Sequence, residues 1–283
     1  MKLLRVGPIG GEQPAILDSE GRLRDISDVV PDISSNYLTT LITDLNNANI
    51  SRFPVLDSKL RVGPCIADVG KLVCIGLNYA DHAEEAGIPP PGEPIVFFKA
   101  TSAICGPNDS LQIPNSSAKT DWEIELGVVI GRTVKNISES EALDAIFGYC
   151  VANDFSERFD QLERGGQWAK GKSHDSFAPI GPWLVTKDEI DTPQKLSLRL
   201  SVNGIQFQNG NTSNMIFGVK YLVSYVSQFM TLRPGDIILT GTPSGVGMGQ
   251  VPPHFLKEGD VVTSIIEGLG KQCQVCRNID YLL

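Results

Sequence analysis

The stretch that decides the fold reads Asp121-Trp122-Glu123-Ile124-Glu125-Leu126-Gly127-Val128-Val129-Ile130-Gly131. It sets two carboxylates two residues apart in an otherwise apolar run. Because side chains at i and i+2 of a β-strand point to the same face, Glu123 and Glu125 are predicted to project side by side. Two adjacent anions need a cation, a shared proton or water between them. A divalent metal fits, because carboxylates are ligands of hard ions such as Mg2+. The alternative is an ordinary strand with one solvated face.

Composition and charge set the class of protein around this strand. The chain has 283 residues, 41% of them hydrophobic, which is typical of a globular protein with one large core and a smaller domain. The net charge of -9 and the lack of a basic stripe argue against nucleic acid as a partner. The N-terminus lacks the apolar core of a signal peptide, and no apolar run reaches the length of a membrane span. We therefore expect a cytoplasmic protein without membrane contact.

The predicted elements favour an α+β fold that is mostly β. Strand-like runs outnumber helical ones, which argues against a βαβ dinucleotide fold. The segment Leu196–Gln208 predicts a hairpin with a type I′ turn at Asn203-Gly204. Residues 1–66 are predicted to form a small N-terminal α+β domain, and residues 67–283 the main domain, because proline and glycine punctuate the chain before residue 66. The six cysteines stand singly among apolar residues and are predicted to be buried thiols.

A second candidate group lies on a short predicted helix. Asn78 is a plausible N-cap, and Gly87 with the prolines after it ends the helix. His82 and Glu85 are i and i+3, so they are neighbours on one face. A carboxylate beside an imidazole orients the ring and raises its basicity. The alternative is a surface histidine with an accidental acidic neighbour.

Further polar residues follow the two central strands. Asp154 ends a buried-looking strand and is either a third acidic ligand or the N-cap of the next turn. Arg158 and Gln161 come next, and the loop 164–172 combines glycines with cations that suit an anion, unless it is a solvated flexible loop. The glycine-rich segment 240–247 follows another strand, where close backbone approach to a ligand is expected.

Together these motifs resemble the fumarylacetoacetate hydrolase family. The matching pieces, in family order, are Gly-Leu-Asn-Tyr-Ala-Asp-His (76–82), Asp-Trp-Glu-Ile-Glu-Leu-Gly (121–127), Asn-Asp (153–154), Gly-Gly-Gln-Trp (165–168), Gly-Lys (171–172) and Thr-Gly-Thr-Pro-Ser-Gly-Val-Gly (240–247). The resemblance implies a mixed β-roll with a pseudo-barrel, a bound Mg2+ or Mn2+, and a homodimer. The chain looks most similar to the branch of 2,4-diketo-3-deoxy-sugar-acid hydrolases and ureidoglycolate lyases.

The resemblance also implies roles for individual residues. It places the metal on Glu123, Glu125 and Asp154. It makes His82 and Glu85 a catalytic dyad on a lid, with Lys172 as a further catalytic residue. The residues expected to bind a small anionic keto-acid substrate are Arg158, Gln161 and Thr242. His174 departs from the family pattern, and we assign it no catalytic role.

The implied reaction is hydrolysis of the C3–C4 bond of a 2,4-diketo acid, giving pyruvate and a second carboxylic acid. The substrate would be an acylpyruvate or a 2,4-diketo-3-deoxy sugar acid, such as the L-fuconate or L-rhamnonate derivative. The alternatives within the family are an oxaloacetate decarboxylase, an isomerase or a ureidoglycolate lyase, which would use the same metal–enolate site. The alternative from another class is a non-catalytic metal-binding protein.

Overall fold

The computed structural model describes residues 1–115 and 117–278, in which eighteen β-strands and five α-helices are found. The strands are β1 Lys2–Val6, β2 Gln13–Leu17, β3 Leu23–Asp25, β4 Leu72–Gly76, β5 Ile95–Lys99, β6 Ile104–Cys105, β7 Leu111–Ile113, β8 Thr120–Asp121, β9 Ile124–Ile130, β10 Ile146–Asn153, β11 Ser156–Glu157, β12 Ala178–Pro179, β13 Leu184–Thr186, β14 Ser197–Val202, β15 Ile205–Asn211, β16 Ile237–Leu239, β17 Val261–Ile266 and β18 Gly270–Asn278. The helices are α1 Leu38–Asn47, α2 Ala80–Glu85, α3 Glu139–Ala145, α4 Ala169–Lys172 and α5 Val219–Phe229. A π-helix spans Phe159–Glu163, and six single turns are 3-10 helices: Ile50–Arg52, Thr101–Ala103, Lys187–Glu189, Pro193–Lys195, Thr212–Asn214 and Gly247–Gly249.

The larger sheet has nine strands in the order β3-β2-β1-β13-β10-β9-β16-β4-β5. Strand β9 lies inside this sheet, antiparallel to both β10 and β16, and all seven of its residues are buried. Its apolar residues pack into one continuous core, where Trp122 is fully buried. The strand that carries Glu125 is therefore buried on both faces, and the solvated-face alternative is wrong.

A second sheet has five strands in the order β15-β14-β17-β18-β7, and two further sheets of two strands each pair β8 with β11 and β6 with β12. The β14–β15 hairpin turns at Asn203 and Gly204, whose φ angles of 52° and 80° are both positive, as a type I′ turn requires. This prediction is confirmed, as is the mostly β fold class. In the described part of the chain none of the four sheets closes into a barrel.

The N-terminal residues contribute β1, β2, β3 and α1, and they are joined to the main sheet. Lys2 of β1 pairs with Val185 of β13 in antiparallel register. The segment predicted as a small domain thus shares a sheet with the rest of the chain, and the boundary at residue 66 stays a prediction. Among the described residues, no helix is both long and apolar enough to cross a bilayer. All six cysteines are free thiols, but only four are buried: the prediction is wrong for Cys105 and Cys273, which are partly exposed.

Asn78 does not cap helix α2, so that prediction is wrong. The N-cap is Tyr79, and it makes no side-chain cap bond. The fully buried amide of Asn78 instead donates to the carbonyl oxygens of Phe217 (3.0 Å) and Thr240 (2.8 Å), and its Oδ1 accepts from the Phe217 N–H (2.8 Å). A buried amide must satisfy its hydrogen bonds, and here the partners come from segments more than 100 residues away.

Candidate metal-binding active site

Three carboxylates meet where β9 begins and β10 ends. Glu123 immediately precedes β9, Glu125 is its second residue, and Asp154 immediately follows β10. Antiparallel pairing places Asn153 opposite Ile124, and the Asp154 N–H donates to the Glu123 carbonyl oxygen at 2.8 Å. One oxygen from each of the three carboxylates lies within 4.8 Å of the others. The structure thus brings together the three predicted ligands.

Two lysines pair with Asp154, each at a different carboxylate oxygen. Lys172 Nζ lies 2.7 Å from Asp154 Oδ2 and 2.7 Å from Glu123 Oε2. Lys99 Nζ donates to Asp154 Oδ1 at 2.5 Å and to the carbonyl oxygen of Phe155 at 2.9 Å. Asp154 therefore acts as an acceptor for two cations, and the alternative that it caps the next turn is wrong.

Lys172 reaches the carboxylates because α4 packs closely on the π-helix Phe159–Glu163. A Cβ at Gly171 would clash with the carbonyl oxygen of Glu157 and the backbone nitrogen of Gln161, so glycine is required there. The sequence predicted an irregular loop over residues 164–172, whereas its last four residues form α4. The helix turns Lys172 inward, where it is almost fully buried.

Arg158 joins Glu123 to a second acidic residue. Its Nη1 lies 2.7 Å from Glu123 Oε1 and donates to Gln161 Oε1 at 3.1 Å, and its Nε donates to Asp121 Oδ2 at 2.8 Å. The pKa of Glu123 is held well below its usual range, because Lys172 and Arg158 together outweigh the effect of burial. Glu123 is therefore an ionised and well-compensated carboxylate.

Glu125 has no such compensation. Its Oε2 accepts a hydrogen bond from the Gly241 N–H at 2.7 Å. No lysine or arginine among the described residues forms an ion pair with it. Burial, together with the charges of Asp154 and Glu123, raises its pKa well above the usual value. An ionised carboxylate in this position needs a cation close by.

The donor set and the charge of the cluster fit a divalent cation. The buried cluster contains four carboxylates and three cationic side chains, so its formal charge is -1 when all of them are ionised. The carboxylates are Asp121, Glu123, Glu125 and Asp154, and the cations are Lys99, Arg158 and Lys172. Oxygen donors are the ligands that Mg2+ and Mn2+ prefer. Adding a divalent ion would make the cluster positive, which favours an anionic ligand.

Both residues of the predicted dyad lie on helix α2. His82 Nδ1 is 3.0 Å from Glu85 Oε2, and Glu85 Oε1 accepts the Gly245 N–H at 2.9 Å. The Ser244 hydroxyl donates to Asp81 Oδ2 at 3.2 Å. Helix α2 is thus docked on the glycine-rich segment 240–247, which holds Glu85 in place to orient the imidazole. The hypothesis that α2 acts as a lid stays a prediction.

A cavity of about 270 Å3 joins the dyad to the carboxylates. Its polar lining residues are His82, Glu123, Glu125, Arg158, Gln161, Lys172 and Thr242. Its apolar lining residues are Ile75, Leu77, Ala86, Ile88, Ile95, Phe97, Leu162, Trp168 and Met248, together with Gly76. Of the nine predicted site residues, only Glu85 and Asp154 do not line the cavity. Glu85 is hydrogen-bonded to His82 and Asp154 to Lys172, and both of these partners line it.

Two predicted residues differ in what their polar groups do. The hydroxyl of Thr242 donates to the Ile124 carbonyl oxygen at 2.8 Å and accepts from Gln208 Nε2 at 2.8 Å, so it is engaged within the protein. His174 is absent from the cavity lining; its Nε2 lies 3.0 Å from Asp160 Oδ2. This placement agrees with assigning His174 no catalytic role.

Sequence reasoning missed three buried residues that hold the site together. Lys99 pairs with Asp154, and Asp121 accepts from Arg158 and from the backbone N–H groups of Gly247 (2.6 Å) and Met248 (2.9 Å). Gln208 Oε1 accepts the Ile124 N–H at 3.0 Å. The one local signal was Lys99, a charged residue that ends an apolar strand.

Replacing Lys99 with methionine is expected to lower the free energy of unfolding of the metal-free protein by about 3 kcal/mol, because it leaves a buried Asp154 oxygen without its cation. Urea denaturation measures the change. Lys170→Met removes an exposed lysine nearby and should cost no more than about 0.5 kcal/mol. Equal midpoints for Lys99→Met and the parent protein would show that this ion pair contributes no net stability.

Comparison with known proteins identifies the family. The model of the fumarylacetoacetate (FAA) hydrolase C-terminal domain matches residues 71–276. A protein of Burkholderia ambifaria, assigned only to the hydrolases in general, is 57% identical over 280 residues, which cover 98% of this chain and 99% of the relative. The chain belongs to the fumarylacetoacetate hydrolase family.

Solved structures with the same fold cover hydrolases and isomerases. A fumarylacetoacetate hydrolase from Exiguobacterium antarcticum is 33% identical with a TM-score of 0.86. A structure from Mycobacterium abscessus, provisionally assigned as a 2-hydroxyhepta-2,4-diene-1,7-dioate isomerase, is 32% identical with a TM-score of 0.84. A maleylpyruvate hydrolase from Sphingobium sp. SYK-6, in complex with manganese(II) and pyruvate, has a TM-score of 0.83 at 24% identity. Each alignment covers 99% of this chain and 100% of the other.

Proposed function

We propose that this protein hydrolyses the C3–C4 bond of a 2,4-diketo acid and requires Mg2+ or Mn2+. The observation that carries the proposal is the pairing of a His82–Glu85 dyad with three buried carboxylates around one cavity. The Sphingobium maleylpyruvate hydrolase, which was solved with manganese and pyruvate, supports this reaction class through its shared fold. The proposed ligands for the cation are Glu123, Glu125 and Asp154.

The dyad is proposed to activate water. With Glu85 ionised, its Oε2 accepts a hydrogen bond from Nδ1–H of His82, which leaves Nε2 to take a proton from water. The Gly245 N–H fixes the other Glu85 oxygen, so the ring is held in one orientation. The water oxygen then attacks the C4 carbonyl carbon of the substrate.

Lys172 is proposed to stabilise negative charge on the reacting oxygen. An ammonium group has three N–H donors, and two of them point to Glu123 and Asp154. The third donor is available to the cavity that Lys172 lines. A divalent cation, when bound, supplies Lewis-acid polarisation to the carboxylate and keto group of the substrate.

The reaction balances with water as the only co-substrate. The hydroxyl of water adds to C4, the C3–C4 bond breaks, and its electron pair stays on C3. C3 then takes up a proton and becomes the methyl group of pyruvate. The former acyl group leaves as a carboxylic acid.

A product-resolved assay tests the proposal. The purified protein is incubated with acetylpyruvate and Mg2+ or Mn2+, and products are followed by proton NMR. Equimolar pyruvate and acetate, formed only with the added metal and lost with EDTA, are the expected result. Unchanged acetylpyruvate and unchanged longer acylpyruvates under both metals would reject the proposal.

An isomerase is the second candidate, favoured by the Mycobacterium abscessus structure at 32% identity. Such an enzyme would move a proton between carbon atoms and release no acid. The same NMR assay, run with 2-hydroxyhepta-2,4-diene-1,7-dioate, distinguishes the two activities. Migration of the double bond without chain cleavage would replace the hydrolase proposal.

The homodimer and the cytoplasmic location expected from the sequence stay predictions. Size-exclusion chromatography coupled to light scattering tests the dimer, for which the measured mass should be twice that of the 30.6 kDa chain. A mass equal to one chain would contradict the dimer.

A further inference from the structure

We propose that the substrate carries an uncharged, apolar acyl group, so that the enzyme prefers neutral alkyl acylpyruvates to dicarboxylates and sugar acids. This inference rests on the proposed function and narrows its substrate class. In the cavity wall the carboxylates, the lysine and the arginine are buried, whereas the lining residues that are exposed at the mouth are apolar.

The base of the cavity is charged and buried. Glu125 is only 1% exposed, and Lys172 and Arg158 are also buried. These residues suit the end of the substrate that all 2,4-diketo acids share, namely the carboxylate and the 2-keto group.

The mouth of the cavity is apolar. Leu162 is 45% exposed and Ile95 is 37% exposed, and Ile88 and Met248 are exposed lining residues as well. Between mouth and base, the Phe97 and Trp168 rings form an edge-to-face pair with centroids 5.3 Å apart. The acyl group, which extends away from the shared end, therefore lies against aliphatic and aromatic side chains.

A second substrate carboxylate finds no free cation in this wall. Among the residues that the structure describes, the lysines and arginines of the lining are Lys172 and Arg158, and both lie 2.7 Å from Glu123. The Gln161 amide oxygen accepts from Arg158, so this side chain also belongs to the charged end. A distal carboxylate or a row of hydroxyls would lose water without gaining side-chain partners at the mouth.

A growing alkyl chain, by contrast, gains apolar contact with each carbon. Burying one methylene is worth about a three- to fourfold gain in affinity. Because the apolar residues at the mouth extend the wall outward, this gain should continue beyond the shortest acyl group.

The first test measures kcat/KM for a panel of substrates at saturating Mg2+. From acetylpyruvate to butanoylpyruvate, the value is expected to rise roughly threefold per methylene. Butanoylpyruvate should exceed both maleylpyruvate and a 2,4-diketo-3-deoxy sugar acid by at least about tenfold. A higher value for maleylpyruvate or the sugar acid would overturn the inference while leaving the proposed hydrolase intact, whereas no pyruvate from any substrate would reject the hydrolase.

The second test places a cation at the mouth. Ile95→Arg should raise the ratio of kcat/KM for maleylpyruvate over butanoylpyruvate by about tenfold or more, because the guanidinium pairs with the distal carboxylate. The matched control is Phe98→Arg, on the same strand, 43% exposed and outside the cavity lining. This control should change the ratio by less than about twofold. Equal ratios for Ile95→Arg and Phe98→Arg would show that the acyl group does not pass along this wall.

Discussion

His82→Ala is expected to lower kcat/KM for C–C hydrolysis by roughly 100- to 10,000-fold, the usual contribution of a general base. The imidazole contacts Glu85 and lines the cavity, whereas the carboxylate cluster is held by Lys99, Lys172 and Arg158. Removing the imidazole should therefore leave Mg2+ binding intact. Steady-state kinetics and isothermal titration calorimetry on the same preparation measure the two effects separately.

Two further variants locate this effect on the dyad. Glu85→Gln should lose less activity than His82→Ala, because an amide oxygen still accepts from Nδ1–H but stabilises an imidazolium less well. His174→Asn, which alters a histidine outside the cavity lining, should stay within about threefold of the parent protein. Parental hydrolysis by His82→Ala, or loss of its Mg2+ binding, would contradict the assignment of the general base.

Glu125→Gln is expected to weaken Mg2+ binding by more than about 100-fold, because losing even a residue that orients a ligand typically costs 10- to 100-fold. The substitution keeps the shape of the side chain and retains an acceptor for the Gly241 N–H. It also removes the buried charge that Asp154 and Glu123 repel. The metal-free variant should thus be at least as stable as the parent protein, while the thermal stabilisation by added Mg2+ disappears.

The matched control for this metal-binding prediction is Glu157→Gln. Glu157 is also buried, but the Thr120 hydroxyl donates to its carboxylate at 3.2 Å and it is outside the three-carboxylate cluster. Its Mg2+ affinity should remain within a few-fold of the parent value. Unchanged affinity in Glu125→Gln, measured by calorimetry, would mean that the metal site lies elsewhere.

Local sequence patterns account for several strands and helices of the fold. The hairpin at Asn203-Gly204 and the amphipathic helix α5 follow from turn chemistry and from apolar periodicity. The capping box that Ser138 and Glu141 form at the start of α3 is likewise a local motif. These elements could be predicted because the responsible interactions join residues within a few positions of each other.

The candidate site was predictable in part for the same reason. Glu123 stands just before β9 and Glu125 within it, two residues apart in extended chain, and His82 and Glu85 stand three apart on one helix. These spacings fix which side chains are neighbours. The choice of Asp154 as a ligand, and the roles given to Lys172, Arg158, Gln161 and Thr242, depended on resemblance to a family. No local rule decides which of these side chains reach the carboxylate pair.

By itself, then, the sequence determined the carboxylate pair, the dyad and the mostly β fold, because each depends on short-range periodicity. Only the tertiary structure decided how their charges are balanced. Lys99 meets Asp154 across 55 residues, and Asn78 bonds to Thr240 across 162. Such partners depend on strand order and sheet packing, which decide the cation that each buried carboxylate receives. Within the part of the chain that the structure describes, that balance leaves Glu125 as the carboxylate of the cluster without a lysine or arginine partner.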